Sequence, residues 1–87
     1  EIVRLMMDDP RVDVNQADTD GYTPFCDVCF EGHDEIVDIM MRDRRVDVNR
    51  PNHNDATPLY VACQNGHLQI VKRIMKDDRL NVNVAFN

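Results

Sequence analysis

The 87-residue chain contains no serine, no tryptophan, only three glycines and only three cysteines. No apolar run comes near the ~18 residues that a membrane-spanning helix requires, and no apolar core of a signal peptide follows Glu1. The missing initiator methionine is what an excised or processed piece would show. Positive charge is also scarce. Ten Lys and Arg stand against sixteen Asp and Glu, a net charge of −6, which argues against a general affinity for nucleic acid or an anionic membrane. An odd cysteine count without framework spacing argues against a disulfide scaffold and for a reducing, intracellular compartment, cytoplasmic or nuclear. Without serine there is no Ser–His–Asp set, and no glycine-rich phosphate loop is present. What remains is an ordinary balance of 43% apolar and 30% charged residues, in a length that suits one unit.

Sliding the chain against itself by 34 residues aligns it repeatedly. Ile2-Val3 falls on Ile36-Val37 and then on Ile70-Val71, and Asp13-Val14-Asn15 falls on Asp47-Val48-Asn49 and then on Asn81-Val82-Asn83. Thr23-Pro24 falls on Thr57-Pro58, and Gly32-His33 on Gly66-His67. Arg11, Arg45 and Arg79 share one register; Met7, Met41 and Met75 share another. A fixed period of this length marks stacked structural repeats.

Each period reads as a pair of helices. Thr23 and Thr57 are good N-caps, each followed by proline at the first helical position, where its missing N–H costs nothing. The short segments 25–31 and 59–65 end at Gly32 and Gly66, which can take the left-handed conformation that closes a helix. A second helix follows, with Ile36, Val37, Met40 and Met41 as its apolar stripe, repeated by Ile70, Val71, Ile74 and Met75 and anticipated by Ile2, Val3, Met6 and Met7. Residues 46–55, with Pro51 and several Asn and Asp, predict an extended polar connection.

These residues carry a resemblance. Thr57-Pro58-Leu59-Tyr60-Val61-Ala62-Cys63-Gln64-Asn65-Gly66-His67, followed by Ile70-Val71, resembles an ankyrin repeat, and Thr23-Pro24-Phe25-Cys26-Asp27-Val28-Cys29-Phe30-Glu31-Gly32-His33, followed by Ile36-Val37, is a looser copy. The implied fold is an all-α ankyrin repeat solenoid of helix-turn-helix units joined by extended fingers. Residues 1–16 would form a partial repeat, 17–50 a full one, and 51–87 a full repeat with the finger after it. Because a repeat buries its apolar face only against neighbours and about three are needed for stability, the expectation is a slice of a longer array. Further repeats would lie on both sides, and the isolated chain would be marginally stable.

The departures from the family pattern are specific. The period is 34 rather than the usual ~33, and the extra residue lies after the second helix, in Arg42-Asp43-Arg44-Arg45 and Lys76-Asp77-Asp78-Arg79, where the family usually has glycine. An irregular loop is expected there, its basic residues complementing the helix dipole. Asp55 stands where the preceding finger has Gly21, so a positive φ is expected of an aspartate. Cys26 and Tyr60 occupy the position of a histidine that braces the turn.

Cys26-Asp27-Val28-Cys29 with His33 has the residue types of a zinc site. The alternative is that Cys29 and Cys63 fill the small buried position of the first helix; no fourth ligand is spaced for a metal, and no cofactor is implied. A Cys29–Cys63 disulfide fails because neighbouring helices lie ~8–10 Å apart, beyond the ~7 Å limit between Cα atoms. Asp34-Glu35 and Asp77-Asp78 read as solvated helix starts and loops rather than acid–base pairs, and His53 lacks a nucleophile beside it. An enzyme is therefore not expected.

The resemblance implies instead a protein-interaction module whose partner docks on the concave face of finger tips and first helices. By register those positions are Thr19, Asp20, Tyr22, Asp27, Phe30 and Glu31, then His53, Asn54, Ala56, Val61, Gln64 and Asn65. Phe30 either packs towards Gln64 and Asn65 or acts with Tyr22 as an aromatic anchor. Residues 17–50 hold nine acidic and four basic side chains, with an acidic band through Asp20, Asp27, Glu31, Asp34, Glu35 and Asp38 that is either a solvated face or a surface steering a basic partner segment. The alternatives are a structural spacer within an array, or a regulatory or metal-dependent module attached to an enzyme. The resemblance also implies that finger asparagines, here Asn15, Asn49 and Asn83, are open to hydroxylation by a 2-oxoglutarate oxygenase; the competing role is hydrogen bonding across the finger.

Overall fold

The computed structural model describes residues 2–81, and five helices follow one another there: α1 (Ile2–Asp8), α2 (Pro24–Glu31), α3 (Asp34–Met41), α4 (Pro58–Gln64) and α5 (Leu68–Met75). Among the described residues there is no strand. The 34-residue period fixes the arrangement: α2–α3 and α4–α5 are equivalent hairpins. α2 packs on α4 as an inner layer, while α1, α3 and α5 form an outer row in that order.

Local chemistry sets the helix ends as expected. Thr23 and Thr57 lie in extended geometry, and their Oγ1 atoms accept from the backbone N–H of Cys26 at 3.1 Å and of Tyr60 at 3.2 Å. The caps therefore form without the family's histidine. Gly32 closes α2 at φ +80°, its N–H reaching the Val28 carbonyl at 3.0 Å. Asp55 takes φ +63°, matching Gly21 at +83°, so the aspartate does occupy the left-handed position of its finger. It can do so because Asn52 Oδ1 braces that turn, accepting from the N–H groups of Asn54 and Ala56. Asp18 Oδ1 does the same for Asp20 and Tyr22.

One buried cluster runs through both hairpins. Phe25 and Cys29 of α2, Val37 and Met40 of α3, Leu59 and Ala62 of α4, and Ile70 and Ile74 of α5 are all buried in it, joined by Val14, Val46 and Val48 from the extended connections. The connections are polar yet ordered, because Asn15 and Asn49 each make two bonds across to the next repeat. Asn15 Nδ2 donates to the Arg45 carbonyl at 2.8 Å and its Oδ1 accepts from Asp47 N–H at 2.8 Å; Asn49 repeats this with Arg79 and Asn81 at 2.8 and 2.7 Å. These two asparagines thus have the cross-finger role, and Asn83 lies outside the described residues.

Three expectations are corrected. The segment after the second helix is not irregular. It is a repeated Asp-x-Arg turn, in which the backbone N–H of Arg11, Arg45 and Arg79 donates to Oδ1 of Asp9, Asp43 and Asp77 at 2.9, 2.9 and 2.8 Å. Cys63, unlike Cys29, is exposed, because no described residue covers that side of α4. Val61 is buried at 3% exposure, since α4 has α2 beside it, and so Val61 belongs to the core rather than to a surface.

Candidate interaction face

The expected face is assembled from two fingers and two inner helices. At the finger tips, His53 N–H donates to the Asp20 carbonyl at 3.1 Å, and the His53 ring lies against Gly21 where a Cβ would stand. Thr19, Asp20, His53 and Asn54 are exposed around this joint. Ala56 is partly buried on the core, and Gln64 is exposed on α4.

Phe30 uses its backbone and its ring differently. Its backbone carbonyl accepts from Asn65 Nδ2 and from His67 Nε2, each at 2.9 Å, which ties α2 to the α4–α5 turn. Its ring turns instead to Tyr22, edge to face, with centroids 5.9 Å apart, and remains 45% exposed. Asn65 is therefore already engaged within the fold. His67 is the second half of that clamp, and its ring sits over Gly32.

Beside Tyr22 opens a recess of about 320 Å³, lined by Gln16, Ala17, Asp18, Tyr22, Thr23, Pro24 and Asp27. Burial first, then the neighbouring Glu31 and Asp18 carboxylates, push the Asp27 carboxyl above its usual range. No Lys or Arg pairs with Asp18, Asp20 or Asp27 among the described residues. The acidic band is not continuous, however. Asp38 is paired with Arg42 at 2.5 Å and with Arg73 at 3.3 Å, Glu31 lies 3.5 Å from His33, and Asp34 and Glu35 sit in the first turn of α3, where negative charge suits the helix dipole.

No group of three or more His, Cys, Asp or Glu is placed to hold a metal among the described residues. Cys26 and Cys29 are buried free thiols; burial pushes Cys26 up to about 11 and Cys29 up further still, so neither is a poised nucleophile. No described helix is long and apolar enough to cross a membrane.

Sequence reasoning recorded the shared register of Arg11, Arg45 and Arg79 but not its use. Each guanidinium lies on its own aspartate, with Nε to Oδ1 at 3.0, 3.1 and 2.9 Å. Arg45 then reaches the Met7 carbonyl at the end of α1. Arg79 reaches the Met41 carbonyl at 2.6 Å, Asp43 at 2.9 Å and Val46 at 3.2 Å. The cap that glycine supplies elsewhere is here an arginine from the following repeat. These arginines hold Asp9 and Asp43 below the usual carboxylate range and Asp77 at about 2. The aspartate two residues before each arginine, in the same period, was the available signal.

With this geometry in place, comparison with known families gives one match: a model of ankyrin repeats in three copies, spanning residues 1–85. No curated protein matches the sequence. Ankyrin repeats are in general modules of protein–protein interaction and are typically non-catalytic.

Proposed function

The chain belongs to the ankyrin repeat family, and from that premise we propose that its finger tips and first helices bind a protein or peptide partner carrying a basic segment, without catalysis of its own. The observation that carries the reading is the Tyr22–Phe30 pair, a half-exposed aromatic edge beside a recess rimmed by carboxylates that pair with no Lys or Arg among the described residues. A Lys or Arg side chain entering there would meet Asp18 and Asp27 for charge and a ring face for cation–π contact. Thr19, Asp20, Asn54 and Gln64 would add polar contacts at the rim. Because the fingers and helices are bonded to one another, little ordering entropy would be lost on binding.

In this reading residues 1–16, 17–50 and 51–87 are successive parts of an array with further repeats on both sides, working in the cytoplasm or nucleus. The exposed Cys63, Leu68 and Met75 support a neighbour at one end, and the three free thiols support a reducing compartment. A second reading, a structural spacer, draws on the density of cross-repeat bonds.

The test is affinity capture with the longer parent array, comparing wild type with Tyr22→Ala/Phe30→Ala after circular dichroism has shown both equally folded. The captured partner is then measured as a purified protein. The expected result is a loss of about 30-fold or more in affinity, the scale of an aromatic hot spot, and binding that weakens as salt rises. Equal capture by both proteins would leave the spacer; salt-independent binding would remove the basic segment from the proposal.

A further inference from the structure

We propose that Asp9–Arg11 is an open docking site for the C-terminal end of an α-helix, the last turn of a further helical hairpin stacked beside α1. The argument rests on three copies of one device, of which two are occupied. In all three, aspartate fixes the guanidinium of the arginine two residues on. Nε and Nη2 are both bound, the latter at 2.8 Å in Arg11, 2.7 Å in Arg45 and 2.8 Å in Arg79.

In the other two copies the guanidinium also meets a carbonyl in the last turn of a helix 38 residues earlier: Met7 for Arg45 and Met41 for Arg79. The contact is chemically apt. A helix ends in unsatisfied carbonyl oxygens at the negative pole of its dipole, and a planar fork of donors matches several at once. Side-chain exposure follows occupancy, at 13% for Arg79 with three carbonyls, 42% for Arg45 with one, and 88% for Arg11 with none among the described residues.

Arg11 thus holds the shape of the occupied copies, already set by Asp9, with no carbonyl on its outer edge among the described residues. The site is continuous with the established row of outer helices, because α1 packs on α3 as α3 packs on α5. The expected occupant is a helix end carrying free backbone carbonyls, presented by a hairpin of the same 34-residue kind. This deepens the reading of flanking repeats and does not depend on what the finger face binds.

The experiment prefixes the 87-residue chain with a copy of its own residues 1–34. Asp34 of the copy then precedes Glu1 as it precedes Glu35 in the natural sequence, and the copy's Met7 lies 38 residues before Arg11. Thermal melts are recorded for both lengths with Arg11 intact, Arg11→Ala and Arg11→Lys. The expected result is a higher melting temperature for the longer chain, lowered by roughly 4 °C in Arg11→Ala and nearly as much in Arg11→Lys, which keeps the charge but not the fork. The 87-residue chain should be unmoved by either substitution.

A longer chain that is stabilised but indifferent to Arg11 would overturn the docking site while leaving stacked repeats in place. A longer chain with no gain in stability would overturn both. Self-association of the 87-residue chain, seen by sedimentation and lost in Arg11→Ala, would overturn the proposal in favour of a second copy as occupant.

Discussion

The hairpins α2–α3 and α4–α5 are built from the same pattern, yet matching positions live in different environments. Met41 is 3% exposed and Met75 is 51% exposed; Cys29 is buried and Cys63 is open. The space above Gly32 holds the His67 ring, whereas a Cβ on Gly66 would meet nothing within 4 Å. Charge differs too, since residues 17–50 carry −5 and residues 51–87 carry +1. In a stacked repeat a residue's burial is conferred by the next unit rather than by its own helix, and the energetic weight of identical side chains diverges accordingly.

That contrast can be tested at several strengths. The largest effect is expected in thiol labelling of the native chain, where Cys63 should react about 100-fold or more faster than Cys29. Reaction at Cys29 must wait for an opening of ~3 kcal/mol or more, and its thiolate is further disfavoured by burial. Equal rates, read by mass spectrometry, would mean that α4 does not cover α2.

Next in size is truncation of the paired methionines. Met41→Ala removes a buried side chain and should cost about 2–5 kcal/mol. Met75→Ala, half in solvent, should stay within about 1 kcal/mol, and denaturant melts separate the two.

A smaller contrast lies in the turns. Gly32→Ala and Gly66→Ala both strain a left-handed residue by roughly 1 kcal/mol. Only at Gly32 does the new Cβ meet the His67 imidazole, at 2.6 Å. The excess loss at Gly32 should vanish in a His67→Ala background, and an additive double-mutant cycle would remove the contact from the account.

The smallest effect is on pH dependence. Asp77 is held at about 2 mainly by hydrogen bonds from Arg79, so its folded-state pKa is depressed. The resulting stability is complete above the unfolded value of ~3.9 and is lost as pH falls through the folded one. Between pH 4 and 2 the melting temperature of wild type should therefore fall more than that of Asp77→Asn. Parallel curves would show that this clasp does not stabilise the inner hairpin.

The local features were legible because each is encoded within a few residues. Threonine before proline marked both inner-helix starts, glycine marked the turns, and Asp55 announced its positive φ by standing in a glycine's place. Asn15 and Asn49 take the cross-finger hydrogen bonds that stood as the alternative to hydroxylation. The reach of the Asp-x-Arg clasps to a neighbouring helix was not legible, because there the acceptors are main-chain carbonyls 38 residues away, and a carbonyl leaves no mark in a sequence.

The candidate face was read less completely. Register put Val61 and Asp27 on equivalent surface positions, but Val61 is buried on a helix packed against α2 while Asp27 stays exposed. Asn65 is exposed, yet its amide is bound to the Phe30 carbonyl. The Tyr22–Phe30 pair was anticipated as two side chains sharing a face; that the rings meet edge to face depends on how the finger folds back onto α2.

The sequence by itself determined the period, the caps, the turns and the apolar stripes, since these rest on contacts spanning a few residues and recur wherever the motif does. The tertiary structure decided which copies of each position are covered, which arginines find a helix end, and which carboxylates stay unpaired. Those outcomes depend on what stacks against each repeat, and a neighbour's surface is not written into the residues that it covers.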